Sequence, residues 1–274
     1  MLDVLTFILA AMAVIVALQY LADRTGLPAA ALLTVAGLVY GVLPGPNVTL
    51  DPHVILTFVI PPLIYSAALN SSLLAIRENM RTVISLSIGL VLATAVVTGI
   101  GMDLFVPGVG LAAGVALGAA LSPTDPVAAL AVGGRAGLPP KLITIIEGEG
   151  LLNDATALTT LTVAVTAATS GGFSFGDAVV HFLEAAAGGL LCGVAVAIIV
   201  RLARSAVRDP LLVNGISLAT PFAAYLVGEE LHVSGVLAVA VAGLMIGHET
   251  PRFTSGASRL QATAVWHLAD FLLQ

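Results

Sequence analysis

The chain has 274 residues, of which 58% are hydrophobic and only 9% are charged. A soluble domain carries roughly 25% charged residues, and the mean hydropathy here is +1.07. The composition therefore excludes an ordinary soluble domain, and it predicts that lipid covers most of the surface. The net charge of −6 says little about partners, and the sequence has no basic patch with interleaved aromatic residues that would indicate nucleic-acid binding.

Apolar runs recur along the whole chain. A spanning helix needs about 20 mostly apolar residues, and a run near that length occurs at Leu2–Leu21, Leu27–Leu43, His53–Leu69, Thr82–Gly101, Val109–Gly133, Lys141–Ala167, Asp177–Ala203, Leu211–Gly228, Leu231–Gly247 and from Ala262 onward. The last run is short and has no polar tail. The pattern predicts an all-α, polytopic membrane helical bundle, with one transmembrane domain of about ten spans over residues 1–274, which we expect to be truncated at its C-terminus.

The basic residues predict an orientation. All ten follow odd-numbered runs: Arg24, Arg77, Arg81, Arg135, Lys141, Arg201, Arg204, Arg208, Arg252 and Arg259. Short cytoplasmic loops collect Lys and Arg. We therefore expect a multi-pass protein of the plasma membrane (the bacterial inner membrane), with its N-terminus outside.

Two prolines interrupt the fifth run, in Ser122-Pro123-Thr124-Asp125-Pro126. Each proline removes an amide donor and clashes with a preceding carbonyl, so a break in the helix is predicted. Unwound backbone at membrane depth is tolerated only beside protein or a water-filled cavity. The exposed carbonyls, the Thr124 hydroxyl and the Asp125 carboxylate are hard oxygen ligands for a hard cation. The alternative is a proline kink with Asp125 neutral or in a salt bridge.

A second group of polar residues lies in the sixth run. Asp154 follows Lys141 by 13 residues, which is about 20 Å of helix. An ionisable side chain at that depth costs at least about 2.5 kcal/mol and is a functional candidate by default. Glu147 lies two turns before Asp154 on the same face and could line an inner vestibule. Glu149 lies on another face, where a packing role and a transport role are equally open.

A carboxylate in a partly desolvated cavity can bind a proton or a small cation, and the two compete. That competition is enough for exchange if the empty, ionised site cannot easily reorient. The expected partners are H⁺ and Na⁺, K⁺ or Li⁺, together with the lipid bilayer. We expect no enzymatic activity, no cofactor, and no metal beyond the transported monovalent cation.

Three motifs resemble those of the NhaP/NHE-type cation:proton antiporters, the sodium/hydrogen exchangers: Thr124-Asp125-Pro126, Glu147-Gly148-Glu149 and Leu151-Leu152-Asn153-Asp154. Supporting matches stand in the expected order at Pro61-Pro62-Leu63, Ala67-Ala68-Leu69-Asn70 and Ser234-Gly235-Val236-Leu237-Ala238. The resemblance implies an NhaA-like antiporter fold of inverted repeats with the second repeat incomplete, and a discontinuous helix near Pro123–Pro126. It also implies a homodimer for the complete protein.

The resemblance assigns roles to four residues. Asp154 is implied to be the carboxylate that binds ion and proton, and Asn153 marks the electroneutral branch, where electrogenic relatives carry a second Asp. Thr124 and Asp125 are implied to complete the ion- and proton-binding set at the crossover.

Two positions depart from the family pattern. Ser66 stands where some members carry Glu, and Gly150 follows Glu149 where many members have Ser. Two possible ion-site oxygens are therefore weaker or absent, and cation selectivity does not transfer. Ser66, Glu147 and Glu149 are assigned to the access path or to the layer around the site.

Other classes fit less well. An intramembrane aspartyl protease would place its second aspartate in a Gly-x-Gly-Asp setting, which this sequence lacks. A non-transporting membrane fragment would not explain the broken fifth run. A proton-coupled transporter of another small solute is the main alternative. An organic solute would usually require aromatic or amide groups along a cavity, whereas aromatic residues are only 5% of the chain.

Overall fold

A computed structural model describes residues 2–26, 29–42, 52–124, 137–169, 175–207, 209–253 and 256–273, and the regular structure in these segments is helical. The chain divides into two compact units, Met1–Leu50 and Asp51–Leu273. The first unit contains α1 (Leu2–Thr25) and α2 (Ala29–Val42). Gly26 ends α1 with a positive φ of 73°, a backbone conformation that favours glycine.

The second unit contains α3 to α13, in the order Pro52–Val54, Ile60–Asn70, Leu73–Glu78, Met80–Ile84, Val91–Phe105, Leu111–Leu121, Pro140–Thr169, Phe175–Ala206, Pro210–Glu230, Gly235–Phe253 and Gly256–Leu273. Two π-helical segments lie within continuous helices. Ile55–Val59 joins α3 to α4, and Ser85–Leu90 joins α6 to α7. Short π-helical segments occur frequently at functional sites.

Membrane character is evident from length and composition. Within the described residues, 4 helices are long and apolar enough to cross a membrane: Met80–Phe105, Pro140–Thr169, Val179–Ala206 and Pro210–Glu230. Large exposed side chains on them include Leu191, which is 67% exposed, and Ile199, which is 64% exposed. An apolar exterior of this kind suits lipid. The prediction of an all-α helical membrane bundle is confirmed.

Glycines allow several helices to approach closely. A Cβ on Gly118 of α8 would lie 2.6 Å from the carbonyl oxygen of Ala95 in α7, and a Cβ on Gly247 of α12 would lie 2.6 Å from that of Leu69 in α4. No larger side chain fits at these distances without moving a helix. Packing of helices through small residues is typical of membrane proteins, and here it fixes the helices that carry the polar groups of the site.

One buried cluster connects α4, α9, α12 and α13. It includes Tyr65, Leu151, Val239 and Trp266. The helix that carries Asp154 and the last helix of the chain therefore pack into the same core, with α4 as a shared neighbour.

The predicted break in the fifth run is confirmed on its N-terminal side. Helix α8 ends at Leu121, and Ser122, Pro123 and Thr124 are not helical. The Ser122 hydroxyl donates to the carbonyl oxygen of Ala119 at 2.9 Å, which satisfies one of the carbonyls that a helix end leaves without a partner. Asp125 and Pro126, which complete the predicted motif, lie outside the described residues.

Candidate ion-binding site

Three predicted site residues meet where α8 ends against α9. The Thr124 hydroxyl donates to Glu149 Oε1 at 3.0 Å. The Asn153 amide Nδ2 donates to the same Glu149 oxygen at 2.9 Å and reaches both the carbonyl oxygen and Oγ1 of Thr124 at 3.2 Å. We call these three residues the Thr124 cluster. They connect the non-helical segment after α8 to one face of α9.

Helical spacing explains the cluster. Glu149 and Asn153 are four residues apart on α9, so their side chains lie one turn apart on the same face. The proline-containing segment supplies Thr124 from the opposite side. Hydrogen bonds to an ionised carboxylate are stronger than those between neutral groups, so Glu149 gives the segment after α8 a firm attachment.

The other side of the Asn153 amide has no such partner. Asn153 is fully buried, and Oδ1 is buried without a hydrogen-bond partner among the described residues. Rotating the amide would not help, because Oδ1 would then face the Glu149 carboxylate and the Thr124 carbonyl oxygen. A buried polar atom without a partner costs about 1–3 kcal/mol, so this oxygen is available to a water molecule or a cation.

Asp154 follows Asn153 on α9 and is partly buried. The hydroxyls within the next two turns are occupied, because Thr156, Thr159 and Thr160 each donate to the carbonyl oxygen four residues earlier, at 2.7–2.9 Å.

The other predicted residues lie in different places. Glu147 is partly buried on α9, about 10 Å along the helix axis from Asp154. Ser66 hydrogen-bonds outside the Thr124 cluster: its hydroxyl donates to Asp270 Oδ2 at 2.7 Å. Asp125 lies outside the described residues, so its role at the crossover stays a prediction.

Sequence reasoning missed Asp270. The signal was present, because Asp270 is an acidic residue within the last apolar run and such residues are functional candidates. What the sequence could not indicate is its partner, which is 204 residues away.

The chemistry at the end of α8 suits a hard monovalent cation. The groups present are a carboxylate, a hydroxyl, an amide oxygen and backbone carbonyls, all of them oxygen ligands. Within the described residues, no group of three or more His, Cys, Asp or Glu side chains is arranged to hold a metal ion.

The broken helix and its oxygen-lined neighbour lie in a polytopic bundle of membrane-like helices. The fold is similar to that of the sodium proton antiporter MjNhaP1 from Methanocaldococcus jannaschii. The TM-score is 0.77, and the match covers 99% of this chain and 68% of that one, at 20% sequence identity. The predicted helical fold of the NhaP-type antiporters is thereby confirmed, and the break in the fifth run is confirmed on its N-terminal side.

The sodium/hydrogen exchanger transmembrane family model matches residues 9–273, and the chain belongs to that family. It is 36% identical over 272 residues to an uncharacterized Na(+)/H(+) exchanger of Mycobacterium tuberculosis, a match covering 98% of this chain and 49% of the relative. It is 35% identical over 236 residues to the sodium, potassium, lithium and rubidium/H(+) antiporter of Bacillus subtilis, covering 84% of this chain and 35% of that protein. The chain thus spans about half the length, or less, of these relatives.

Proposed function

We propose that the protein carrying this chain is a secondary active transporter that exchanges a monovalent cation for H⁺, with cation and proton competing for Asp154. Na⁺ is the first candidate cation, and K⁺ and Li⁺ are the others. The observation that carries the proposal is the buried Asn153 Oδ1, an orphaned hard oxygen ligand adjacent in sequence to the Asp154 carboxylate. A partly dehydrated cation bound there would satisfy that oxygen.

The Thr124 cluster is proposed to hold the site together. Asn153 donates to Glu149 and Thr124, so its amide nitrogen positions α9 against the broken helix while Oδ1 stays available. Thr124 and Asp125 would supply further oxygens from the segment after α8. Since Asn153 is neutral, the site gains one charge when one cation or one proton binds at Asp154.

The names of relatives support alkali cations as substrates. The Bacillus subtilis relative is named for sodium, potassium, lithium and rubidium, which differ in size and share a preference for oxygen ligands. A cyanobacterial relative from Synechocystis, 33% identical over 233 residues, is named a Na(+)/H(+) antiporter.

We further propose that the protein acts as a homodimer in the plasma membrane, with its N-terminus outside. The orientation is supported by the ten basic residues, which all follow odd-numbered apolar runs. With that orientation, Glu147 lies between the cytoplasmic end of α9 and Asp154, where it would line the access path.

The test is cation-dependent proton movement in membrane vesicles that contain the whole protein. Vesicles from cells lacking their own antiporters are acidified and then given Na⁺, K⁺ or Li⁺, and lumenal pH is followed with a dye. Asp154→Asn keeps the shape of the side chain and removes its charge, so exchange should be abolished while the protein stays folded and inserted. Normal exchange by a folded Asp154→Asn protein would refute the proposal.

A matched control is available on α10. Glu184 is 69% exposed, and within the described part of the chain it pairs with His181 of its own helix alone, at 3.5 Å. Glu184→Gln removes an acidic charge from the same protein without touching the Thr124 cluster, and it should leave the exchange rate unchanged.

A further inference from the structure

A polar cavity, which we call the second cavity, lies farther along α9 than the Thr124 cluster. Its volume is about 510 Å³. That is room for about 17 water molecules at roughly 30 Å³ each, so a cation can enter it with water around it. The four helices α9 to α12 line it, together with the π-helical segment before α4. Its polar side chains are those of Thr159, Thr162, Tyr225, Glu229, His232 and Ser234.

The second cavity lies along the face of α9 that carries Asp154. Leu158 and Leu161 line the cavity, and they follow Asp154 by four and seven residues, which places all three on one face of the helix. They lie about 6 Å and about 10 Å farther along the helix axis than Asp154. Glu147 lies on the other side of Asp154. The Asp154 carboxylate therefore stands between the Glu147 side of α9 and the second cavity.

A hydrogen bond in this cavity joins α9 to the start of α12. The hydroxyl oxygens of Thr159 and Ser234 are 3.1 Å apart. Because the Thr159 hydroxyl donates to the carbonyl oxygen of Ala155 at 2.7 Å, the Ser234 hydroxyl supplies the hydrogen between them. The Leu237 amide donates to Ser234 Oγ at 3.3 Å, which is the contact of a helix N-cap. Helix α12 thus has its capping side chain in Ser234.

Glu229 is the acidic side chain at the open end of the second cavity. It precedes the last residue of α11 and is exposed. A Cβ on Gly235 would lie 3.1 Å from Glu229 Oε1, so the carboxylate lies over the first turn of α12 instead of extending into bulk solvent. Glu230, the next residue, is also exposed but does not line the cavity. A role as a solvated surface charge therefore suits Glu230 better than Glu229.

The lysines and arginines of the lining helices lie far from this carboxylate. Helix α11 has none. Those of α9, α10 and α12 are at least 16 residues of helix from the nearest lining residue of the same helix, which is about 24 Å; they are Lys141, Arg201, Arg204 and Arg252. His232 is the titratable group beside Glu229, and a histidine is largely neutral above pH 7. Among the described residues that line the cavity, Glu229 is thus the one that is charged at pH 8.

We propose that the second cavity is the outer entry of the transport path, and that Glu229 binds an alkali cation at its open end before the cation reaches Asp154. This inference rests on the exchange activity proposed above, and it adds a residue that acts from one side of the membrane. In the proposed orientation that side is extracellular, because the basic ends of α9, α10 and α12 are cytoplasmic. A cavity lined by one sign of charge raises the local concentration of the opposite ion.

The first test compares the two faces of the whole protein. Na⁺ added to the bath meets the extracellular face in right-side-out membrane vesicles and the cytoplasmic face in everted ones. At pH 8, Glu229→Gln should raise the Na⁺ concentration for half-maximal exchange about threefold in right-side-out vesicles, which is the effect of an exposed charge pair. The same variant should behave as the unmodified protein in everted vesicles. Choline chloride, which screens exposed charges, should reduce the difference.

The matched control is Glu230→Gln, which removes the same charge one residue away and should have little effect. An equal increase for both variants would make Glu229 part of a general surface charge. An equal increase in both kinds of vesicle would make Glu229 a structural residue, and an effect confined to everted vesicles would put the cavity on the cytoplasmic side. Each of these results would overturn the inference.

The two proposals can fail separately. If the unmodified protein exchanges no cation for protons, the proposed function fails. If it exchanges normally and Glu229→Gln leaves the half-saturating Na⁺ concentration unchanged on both faces, only this inference fails.

The second test restores the charge chemically. In the whole protein with its native cysteines replaced, Glu229→Cys should raise half-saturating external Na⁺ as Glu229→Gln does. An impermeant methanethiosulfonate reagent that carries a sulfonate should return that concentration to near the unmodified value. A reagent that carries trimethylammonium should raise it further. Both reagents add similar bulk, so equal effects of the two would contradict a role for the charge of Glu229.

Discussion

Replacing Asn153 by Asp tests the Thr124 cluster most directly. In the structure, Asn153 Nδ2 donates to Glu149 Oε1 at 2.9 Å. The substitution puts an acceptor oxygen where the donor was, so a charge-assisted hydrogen bond worth about 1.5–3 kcal/mol is lost. Two unit charges at that distance also repel each other by about 6 kcal/mol at an effective dielectric constant of about 20, which is an upper limit because the side chains can move apart.

We therefore expect Asn153→Asp to lower the free energy of unfolding by at least about 3 kcal/mol. For a domain of this size, that corresponds to a fall of about 10 °C in the unfolding temperature. The assay is thermal unfolding of the purified whole protein in detergent, compared at a fixed heating rate because unfolding of such proteins is commonly irreversible.

The rescue variant exchanges donor and acceptor. Adding Glu149→Gln to Asn153→Asp places an amide donor opposite the new carboxylate, although that carboxylate still faces the Thr124 carbonyl oxygen. The double variant should therefore recover about half of the lost unfolding temperature. The matched control is Asn79→Asp. Among the described residues, the Asn79 amide donates to the carbonyl oxygen of Ala75 alone, at 2.9 Å, and the change should cost about 1 kcal/mol. If Asn153→Asp is no less stable than this control, or if the double variant is as unstable as the single one, the geometry of the Thr124 cluster does not stabilise the protein.

Two further predictions concern the whole protein. With a neutral Asn153, one cation should exchange for one proton, so no net charge crosses the membrane. A membrane potential of about 100 mV, which is worth about 2.3 kcal/mol per charge moved, should therefore leave the exchange rate within about twofold. A steep dependence of the rate on the potential would contradict this. The orientation of the chain in the membrane can be tested with an impermeant thiol reagent added to intact cells. The reagent should label Glu230→Cys and spare Ser205→Cys, which are both at exposed positions. Both variants also carry Cys192→Ala, which removes the buried native cysteine. The opposite labelling pattern would reverse the assigned topology.

Much of the fold could be predicted from the sequence because its causes are local. Long apolar runs without charge become helices in lipid, and Pro123 ends α8 because a proline removes an amide donor. Helix α13 shows the limit of this reasoning. We expected the last run from Ala262, but the helix begins at Gly256, because Ser258 and Arg259 make the first turn polar without preventing it from being helical.

The two π-helical segments and the second cavity were beyond sequence reasoning. Ile55–Val59 and Ser85–Leu90 contain ordinary helix residues, so their wider hydrogen-bond register depends on how the helices pack. The contact between Ser66 and Asp270 joins α4 to α13 across most of the chain. In a single sequence, no periodicity connects two such positions. The contact between Glu149 and Asn153 was in principle predictable, since the two residues are one helical turn apart.

The end of α8 explains why the site suits a cation. A helix that stops at membrane depth leaves its last carbonyls without amide partners, and their aligned dipoles give that end a partial negative charge. Ser122 and Asn153 satisfy two of the nearby carbonyl oxygens, those of Ala119 and Thr124. The partial negative charge of this helix end favours a cation over an anion. In the proposed mechanism, a monovalent cation, or a proton on Asp154, would supply a compensating positive charge.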